Sequence, residues 1–428
     1  MLRLLVFACC AALGITASLL VSGCGPDAGS GTTVRFWAMG REGEVVAELV
    51  PEFERAHPGI HVEVQQLPWS AAHEKLLTAF AGNTTPDLCQ LGNTWIPEFV
   101  ALSAIEPLDA KVADSPTIEP SDYFPGIWAT NRVEGRLYGV PWYADTRLLF
   151  YRRDLLAQAG YNEAPRSWSE WTTMLAAIGR RDVPGHYGIV LPVNEFEPLV
   201  ALALQQDDSL LRDGDRYGNF QSRGFTRALE FYAGMFRRGY APPAGAAEAS
   251  NVWNEFGRGQ FMFYISGPWN IGEFRRRLPP ELQQTWMTAP LPGADGPGAS
   301  IAGGSSLVIF RKSRNAAAAW LLIEYLSRPD IQRRFHALTG DLPPRRQAWS
   351  EGALADDVYV RAFRDQLERV KSTPRVPEWE RIANEIRLVA EQVVHGDLSV
   401  AQGEAELDAR SDRILEKRRW MLDRKNAP

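Results

Sequence analysis

The chain is short of cysteine. Its four are Cys9, Cys10, Cys24 and Cys89. The first three lie in or at the end of an apolar leader, so Cys89 alone belongs to the body and no intrachain disulfide is available there. Cys89, in the strand-like run Asp87-Leu88-Cys89-Gln90-Leu91, reads as a small core residue. Beyond the leader, no apolar run reaches the ~20 residues needed to span a bilayer. No basic stripe stands clear of acids either: 46 Lys and Arg face 52 Asp and Glu, a net charge of −6. That balance excludes nucleic-acid binding driven by charge. The six histidines are scattered. His57 and His61 are spaced like helical zinc ligands, but Pro58-Gly59 between them breaks any shared face, and the zinc motif fails. Gly-x-Ser-x-Gly is absent, and Gly293-Ala294-Asp295-Gly296 lacks the Gly-Lys-Ser/Thr ending of a phosphate loop. Glu195 and Glu197 form a close acid pair of the kind a glycosidase needs, yet neighbouring acids more often are solvated or bind a sugar. Internal repeats and low-complexity tracts are missing too. No catalytic centre, metal or cofactor is expected.

Tryptophan, in contrast, is abundant: fourteen residues, which points to a site that stacks on something flat. Arg3 followed by an apolar run from Leu4 to Val21 has the form of a secretory signal. Leu20-Val21-Ser22-Gly23-Cys24 resembles the lipobox of bacterial lipoproteins, which implies lipidation of Cys24 and tethering at a membrane surface. The expected division is a signal over 1–23 and a Gly/Ser-rich flexible tether over 24–33. Roughly 400 residues follow, enough for two domains.

Along that body the periodicity alternates between strand and helix. Thr33 to Ala38 reads as a strand, and Gly40-Arg41-Glu42-Gly43-Glu44 as a loop into a helix bearing Val45, Val46, Leu49 and Phe53, which Pro51 is expected to interrupt and kink. Ile60, Val62 and Val64 alternate as a second strand, which completes a βαβ unit. Ala71 to Phe80 is helical, Pro86 to Leu91 a strand, and Thr94 to Leu102 helical. Ser167-Trp168-Ser169-Glu170 is a capping box. A helix through Phe225 to Phe236 stops at Gly239, and Ala241 to Ala249 reads as a loop. Gln260 to Ile265 is a strand. Pro290 to Gly298 is a connector, Gly303-Gly304-Ser305-Ser306 leads into a buried strand Leu307 to Phe310, and Gly340 to Arg345 is a second connector. From Glu378 onward the chain is helical, with Ser399 opening the last amphipathic segment.

The stretch that organises the rest is Gly135-Arg136-Leu137-Tyr138-Gly139-Val140-Pro141-Trp142-Tyr143-Ala144-Asp145-Thr146-Arg147-Leu148-Leu149-Phe150-Tyr151-Arg152-Arg153-Asp154-Leu155-Leu156. Two aromatic faces, a carboxylate and a hydroxyl stand at the edge of a run that reads as a strand buried on both faces. This stretch resembles the first interlobe crossing of the family 1 extracellular solute-binding proteins, which serve carbohydrate importers of the ATP-binding-cassette type. The trehalose/maltose branch is most similar, and Phe53-Glu54-x-x-His57-Pro58-Gly59 and Thr85-Pro86-Asp87 extend the likeness.

The resemblance implies an α/β fold of the two-lobe periplasmic-binding-protein kind (type II), with mixed sheets flanked by helices and three crossings between lobes. Lobe 1 would comprise 34–140 and 300–341, lobe 2 142–290 and 345–428. It also implies site residues. Glu42 stands at the family's acidic position after the first strand, with Arg41 beside it, and Lys75 at a basic position on the second helix. Asn93 and Trp95 lie in the Gly92-Asn93-Thr94-Trp95 loop. Tyr143 and Asp145 form the aromatic-plus-carboxylate pair, Asn194 and Glu195 lie in a second-lobe loop, and Trp269 is the stacking tryptophan. Gly303 and Gly304 supply backbone donors, and Ser305 stands where relatives often carry tryptophan. Arg345 matches an arginine at the third crossing, able to bridge two hydroxyls. The expected function is extracytoplasmic capture of a di- or oligosaccharide such as trehalose or maltose, without catalysis, by a lipid-anchored monomer. It would pass the sugar to a membrane permease driven by a cytoplasmic ATPase. A phosphorylated polyol such as glycerol 3-phosphate is the alternative ligand, and an exported glycoside hydrolase the alternative activity.

Overall fold

The computed structural model describes residues 31–179, 186–242 and 252–425. The leader, Cys24, most of the tether and the greater part of the 241–249 loop fall outside them. In chain order the elements that frame the site are β1 (Thr32–Met39), α1 (Gly40–Ala56), β2 (Ile60–Leu67), α2 (Trp69–Ala81), β3 (Leu88–Gly92), β4 (Val140–Asp145) and β5 (Leu148–Arg152). Then come α3 (Trp168–Gly179), β6 (Tyr187–Val190), α4 (Glu197–Leu204), α5 (Arg223–Arg237), β7 (Phe261–Ser266), α6 (Trp269–Arg277) and β8 (Trp286–Ala289). The last are β9 (Gly303–Ile309), α7 (Ala316–Leu326), α8 (Pro329–Thr339), α9 (Trp379–His395) and α10 (Val400–Ile414).

Two sheets divide these strands. The first runs β2-β1-β3-β9-β4 and the second β8-β5-β7-β6. In the first, β1 pairs parallel with β2 and β3, while β9 runs antiparallel between β3 and β4. Period-two burial explains its layers. Val34, Phe36 and Ala38 of β1 pack on Val45, Val46, Leu49 and Phe53 of α1. Trp37 and Met39 face the other way, toward Leu76, Cys89 and Phe99. The second sheet is covered on both faces too. Leu149 meets Trp171 and Phe263, and Leu148 and Phe150 meet Trp286 and Phe363, which accounts for the unbroken apolar run of β5.

Local reading and structure part at four places. The helix α1 starts at Gly40 directly after β1, with no intervening loop, because Gly40 takes φ +50° and turns the chain within one residue. Pro51 lies inside α1 without ending it, since Leu49, Val50 and Phe53 anchor the helix on the sheet. Ser167 caps α3 by accepting from the Glu170 N–H at 3.2 Å, but the Glu170 carboxylate turns to the Arg166 N–H instead, so the box is half made. The complete box is at Ser399 and Gln402. Gly303 and Gly304 are strand rather than loop, and the pairing of β9 with β4 shifts register between Ser305 and Ser306.

β4 still belongs to the first sheet and β5 already to the second. The chain first passes between the sheets at Thr146-Arg147. The three crossings are tied together. Ser300 donates its hydroxyl to the Arg147 carbonyl at 2.6 Å, and the Ala144 N–H donates to Leu342 at 2.7 Å.

Gly304 makes the β9–β4 contact possible. Its φ is +115°, and a Cβ there would lie 2.3 Å from the Tyr143 carbonyl oxygen. Gly304→Ala is expected to lower stability by about 2–4 kcal/mol, from strained φ plus overpacking. Gly135→Ala, also at positive φ but in open space, should cost only about 1–2 kcal/mol. Urea unfolding midpoints check both, and equal midpoints would remove the close contact as the reason for glycine at 304.

Candidate functional site

Where the sheets face each other across the crossings lies a cleft of about 650 Å³, lined among others by Glu42, Trp95, Tyr143, Arg147, Trp269 and Asp341. Strand ends and helix starts build it, as in open α/β sheets generally. Its aromatic walls share one construction. Trp69, at the start of α2, lies over Gly40, where a Cβ would meet its ring at 2.8 Å. Trp95 lies over Gly92, at 3.2 Å. Trp269, opening α6, folds over Gly267, where a Cβ would be 2.0 Å from the ring. Each indole is seated on bare backbone that any other residue would obstruct. Trp69 and Trp95 meet edge-on with centroids 5.7 Å apart. His73 supports Trp95 from 4.9 Å and bonds Glu98 at 2.7 Å. Trp269 stays 42% exposed, an uncommon state for so large an apolar group.

The floor is polar. Tyr143 gives its phenol proton to Glu42, which also accepts from the Trp69 indole. Ser305 lies behind it, buried, and donates to the Tyr143 oxygen at 3.1 Å. Gln90 completes this layer, reaching Ser305 at 3.4 Å and accepting from the Met39 N–H at 2.7 Å. Asn93 lines the cleft, but its amide already donates to the Ala302 carbonyl at 2.7 Å.

At the first crossing Arg147 grips both oxygens of Asp145, at 3.0 and 2.9 Å, and Glu197 at 2.8 Å. Its guanidinium carbon sits 4.7 Å from the centre of the Trp269 ring. One cation thus joins the end of β4, the start of α4 and the start of α6. Across the cleft Glu380 of α9 accepts from Thr94; burial pushes its carboxyl up, partly offset by Thr94 and His73. Asp341, just after the Gly340 cap of α8, is raised well above the usual carboxylate range, by burial first and by the Glu42 charge second. Five carboxyl groups and two guanidinium groups line the cleft, and the second, Arg41, is paired with Glu44 at 2.9 Å.

Of the residues expected at the site, Arg41, Glu42, Asn93, Trp95, Tyr143, Asp145, Trp269, Gly303 and Gly304 line this cleft together. Five others do not. Arg345 is buried elsewhere, donating to Asp122 at 2.7 Å, Thr117 at 3.0 Å and Ser327 at 2.8 Å. Those bonds stitch the 117–123 segment to the third crossing and turn the fork away from the cleft. Lys75 is exposed on α2 with its ammonium over Trp37 at 5.2 Å. Asn194 is exposed, Glu195 is half-buried outside the lining, and Ser305 acts through Tyr143.

The sequence reading missed Trp69, Arg147, Glu197 as a cleft residue, Asp341 and Glu380. Trp69 opens the helix after a strand, a position the strand-end rule could have flagged. Arg147 and Asp341 lie inside segments already marked as crossings. Glu380 gives no signal, since it comes from a helix almost 300 residues beyond its partner Thr94.

Removing the central cation tests this arrangement. Arg147→Met leaves the half-buried Asp145 and Glu197 without their partner, expected to lower stability by about 1–3 kcal/mol. Thermal melts check the size, and an unchanged midpoint would mean that this cation does not hold the three segments together.

Comparison with known proteins bears on the whole chain. In solved structures the fold matches the sugar-binding protein MalE from the phytopathogen Xanthomonas citri, at 58% identity and a TM-score of 0.90, covering 92% of this chain and 99% of that one. It also matches the GacH receptor of Streptomyces glaucescens, at 25% identity and a TM-score of 0.77, covering 90% and 99%. In sequence it is 24% identical over 369 residues to the diacetylchitobiose binding protein DasA of Streptomyces coelicolor, 84% of each chain. No helix among the described residues is long and apolar enough to cross a membrane. With residues 39–333 matching its profile, the chain belongs to the family of bacterial extracellular solute-binding proteins.

Proposed function

We propose that this protein is the extracytoplasmic binding component of an importer of the ATP-binding-cassette type, and that its solute is a neutral di- or oligosaccharide such as trehalose or maltose. The carrying observation is the cleft itself, in which three tryptophans seated on glycines face carboxyl groups and a tyrosine across about 650 Å³. Sugars present apolar C–H faces and a rim of hydroxyls, and this lining answers both. The volume falls within the ~300–1,000 Å³ usual for small-molecule sites. The names of relatives support the same class: one is a sugar-binding MalE, another binds diacetylchitobiose.

Closure of the two lobes about the three crossings would exclude water and present both to the permease. A lipid on Cys24 would hold the protein at the membrane, as a monomer without cofactor. A phosphorylated ligand fits less well. The lining acids outnumber the arginines, and both arginines are engaged by carboxylates, so a phosphate would meet net repulsion. Hydrolysis finds little support: Glu197 is held by Arg147 and Glu195 does not line the cleft.

A melting-shift screen over mono-, di- and oligosaccharides tests the reading, since a ligand that binds the native state raises the midpoint. Trp269→Ala is expected to weaken the best disaccharide by ~1–3 kcal/mol while leaving the unliganded melt in place. Calorimetry gives the number, and an unchanged affinity would take Trp269 out of the site. Trehalose or maltose recovered as smaller sugars after incubation would favour the hydrolase instead.

A further inference from the structure

The tyrosine of the cleft floor stands at the end of a line of hydrogen bonds that begins behind the cleft. Gln90 of β3 and Ser305 of β9 are 0% and 1% exposed, and neither lines the cleft. The line starts from a group that can only donate. The Met39 N–H reaches Gln90 Oε1 at 2.7 Å, which fixes the amide with its oxygen toward β1 and its nitrogen free to donate elsewhere. From that nitrogen, longer contacts of 3.4 and 3.5 Å run to the Ser305 hydroxyl and the Tyr143 phenol oxygen. An amide N–H cannot accept, so both oxygens receive on this side. Ser305 in turn donates to the Tyr143 oxygen at 3.1 Å.

The backbone is built for this contact. Ser305 and Tyr143 are partners in the pairing of β9 with β4, and the register shifts immediately after Ser305. Cross-strand partners bring their side chains together, and an irregularity in the ladder re-aims them. Gly304, just before Ser305, has the positive φ and the bare Cα that allow β9 so near the Tyr143 carbonyl. With Ser305 and Gln90 both donating to it, the phenol oxygen is filled as an acceptor and has its own proton left to give. The reverse arrangement, Tyr143 donating to Ser305, would turn that proton away from the cleft and deprive the buried Ser305 proton of this acceptor. Tyr143 lines the cleft, with Glu42 as an acceptor on that side.

We propose that Ser305 is a positioning residue for sugar binding. Backed by Gln90, it fills the acceptor side of the Tyr143 oxygen and turns the phenol proton toward the cleft, where Glu42 and a sugar oxygen are its acceptors. Tyr143 thus meets a guest as a donor only, and Ser305 sets the affinity of a site that it does not line. The inference rests on the sugar-binding reading above.

A double-mutant cycle separates this role from simple packing, because residues that act through one another are not additive. In calorimetry with trehalose and with maltose, Ser305→Ala should weaken the better ligand about fivefold, the worth of one neutral hydrogen bond. Tyr143→Phe should weaken it at least as much, and adding Ser305→Ala to Tyr143→Phe should change affinity little further. An unchanged affinity in Ser305→Ala, or the same fold-loss in both backgrounds, overturns the proposal. Melting of the same four proteins without sugar gives an independent arm. Ser305→Ala should lower the midpoint in the wild-type background and much less in Tyr143→Phe, where the serine proton has already lost its acceptor. Equal drops in the two backgrounds also overturn it. If neither sugar binds the wild type, the sugar reading falls, and the melting cycle still decides whether Ser305 and Tyr143 are joined as described.

Discussion

Arg147 is the constraint on which the cleft depends. It sits in the two-residue link between the sheets, where the chain first passes from one lobe to the other. From there it grips Asp145 of the first sheet and Glu197 of the second lobe, and backs the Trp269 ring. A guanidinium can do all three at once because it is planar, permanently charged and able to donate in several directions. Without it, two half-buried carboxylates would be left without their shared cation and the exposed indole would lose its support. The cation at the centre is thus spent on architecture, and the remaining surface of the site is acidic and aromatic.

The aromatic part depends on residues that are barely there. Gly40, Gly92 and Gly267 lie under Trp69, Trp95 and Trp269, and in each case a single added carbon would press into the ring. Seating a flat ring on bare backbone helps to fix its plane. The same logic operates at Gly304, where close approach of β9 to β4 holds Tyr143 against Ser305 and aims its proton at Glu42.

Charge then narrows the class of ligand. Arg41 and Arg147 are committed to carboxylates, so an anionic guest finds no free arginine among the described residues of the lining, while Glu42, Asp341 and Glu380 offer oxygen atoms. Burial works against ionising all of them together. A lining of this kind suits hydroxyl groups, which donate and accept, better than phosphate, which only accepts.

Much of this was legible in the residues. Alternation in β1, the apolar run of β5 and the spacing of α1 follow from burial of one or both faces, which a linear pattern records. The aromatic-carboxylate pair at Tyr143 and Asp145 was visible because both stand in one strand. What a linear pattern cannot record is which side chain answers which. Arg345 has the right chemistry for the cleft, yet Asp122 and the carbonyls of Thr117 and Ser327 reach it first. Glu380 and Thr94 lie far apart in the chain and meet only because α9 packs across the groove. Local propensity and period thus determined the elements and their order. The pairing of charges and the seats of the tryptophans were decided by tertiary structure, because each is a property of distances between segments that the sequence keeps apart.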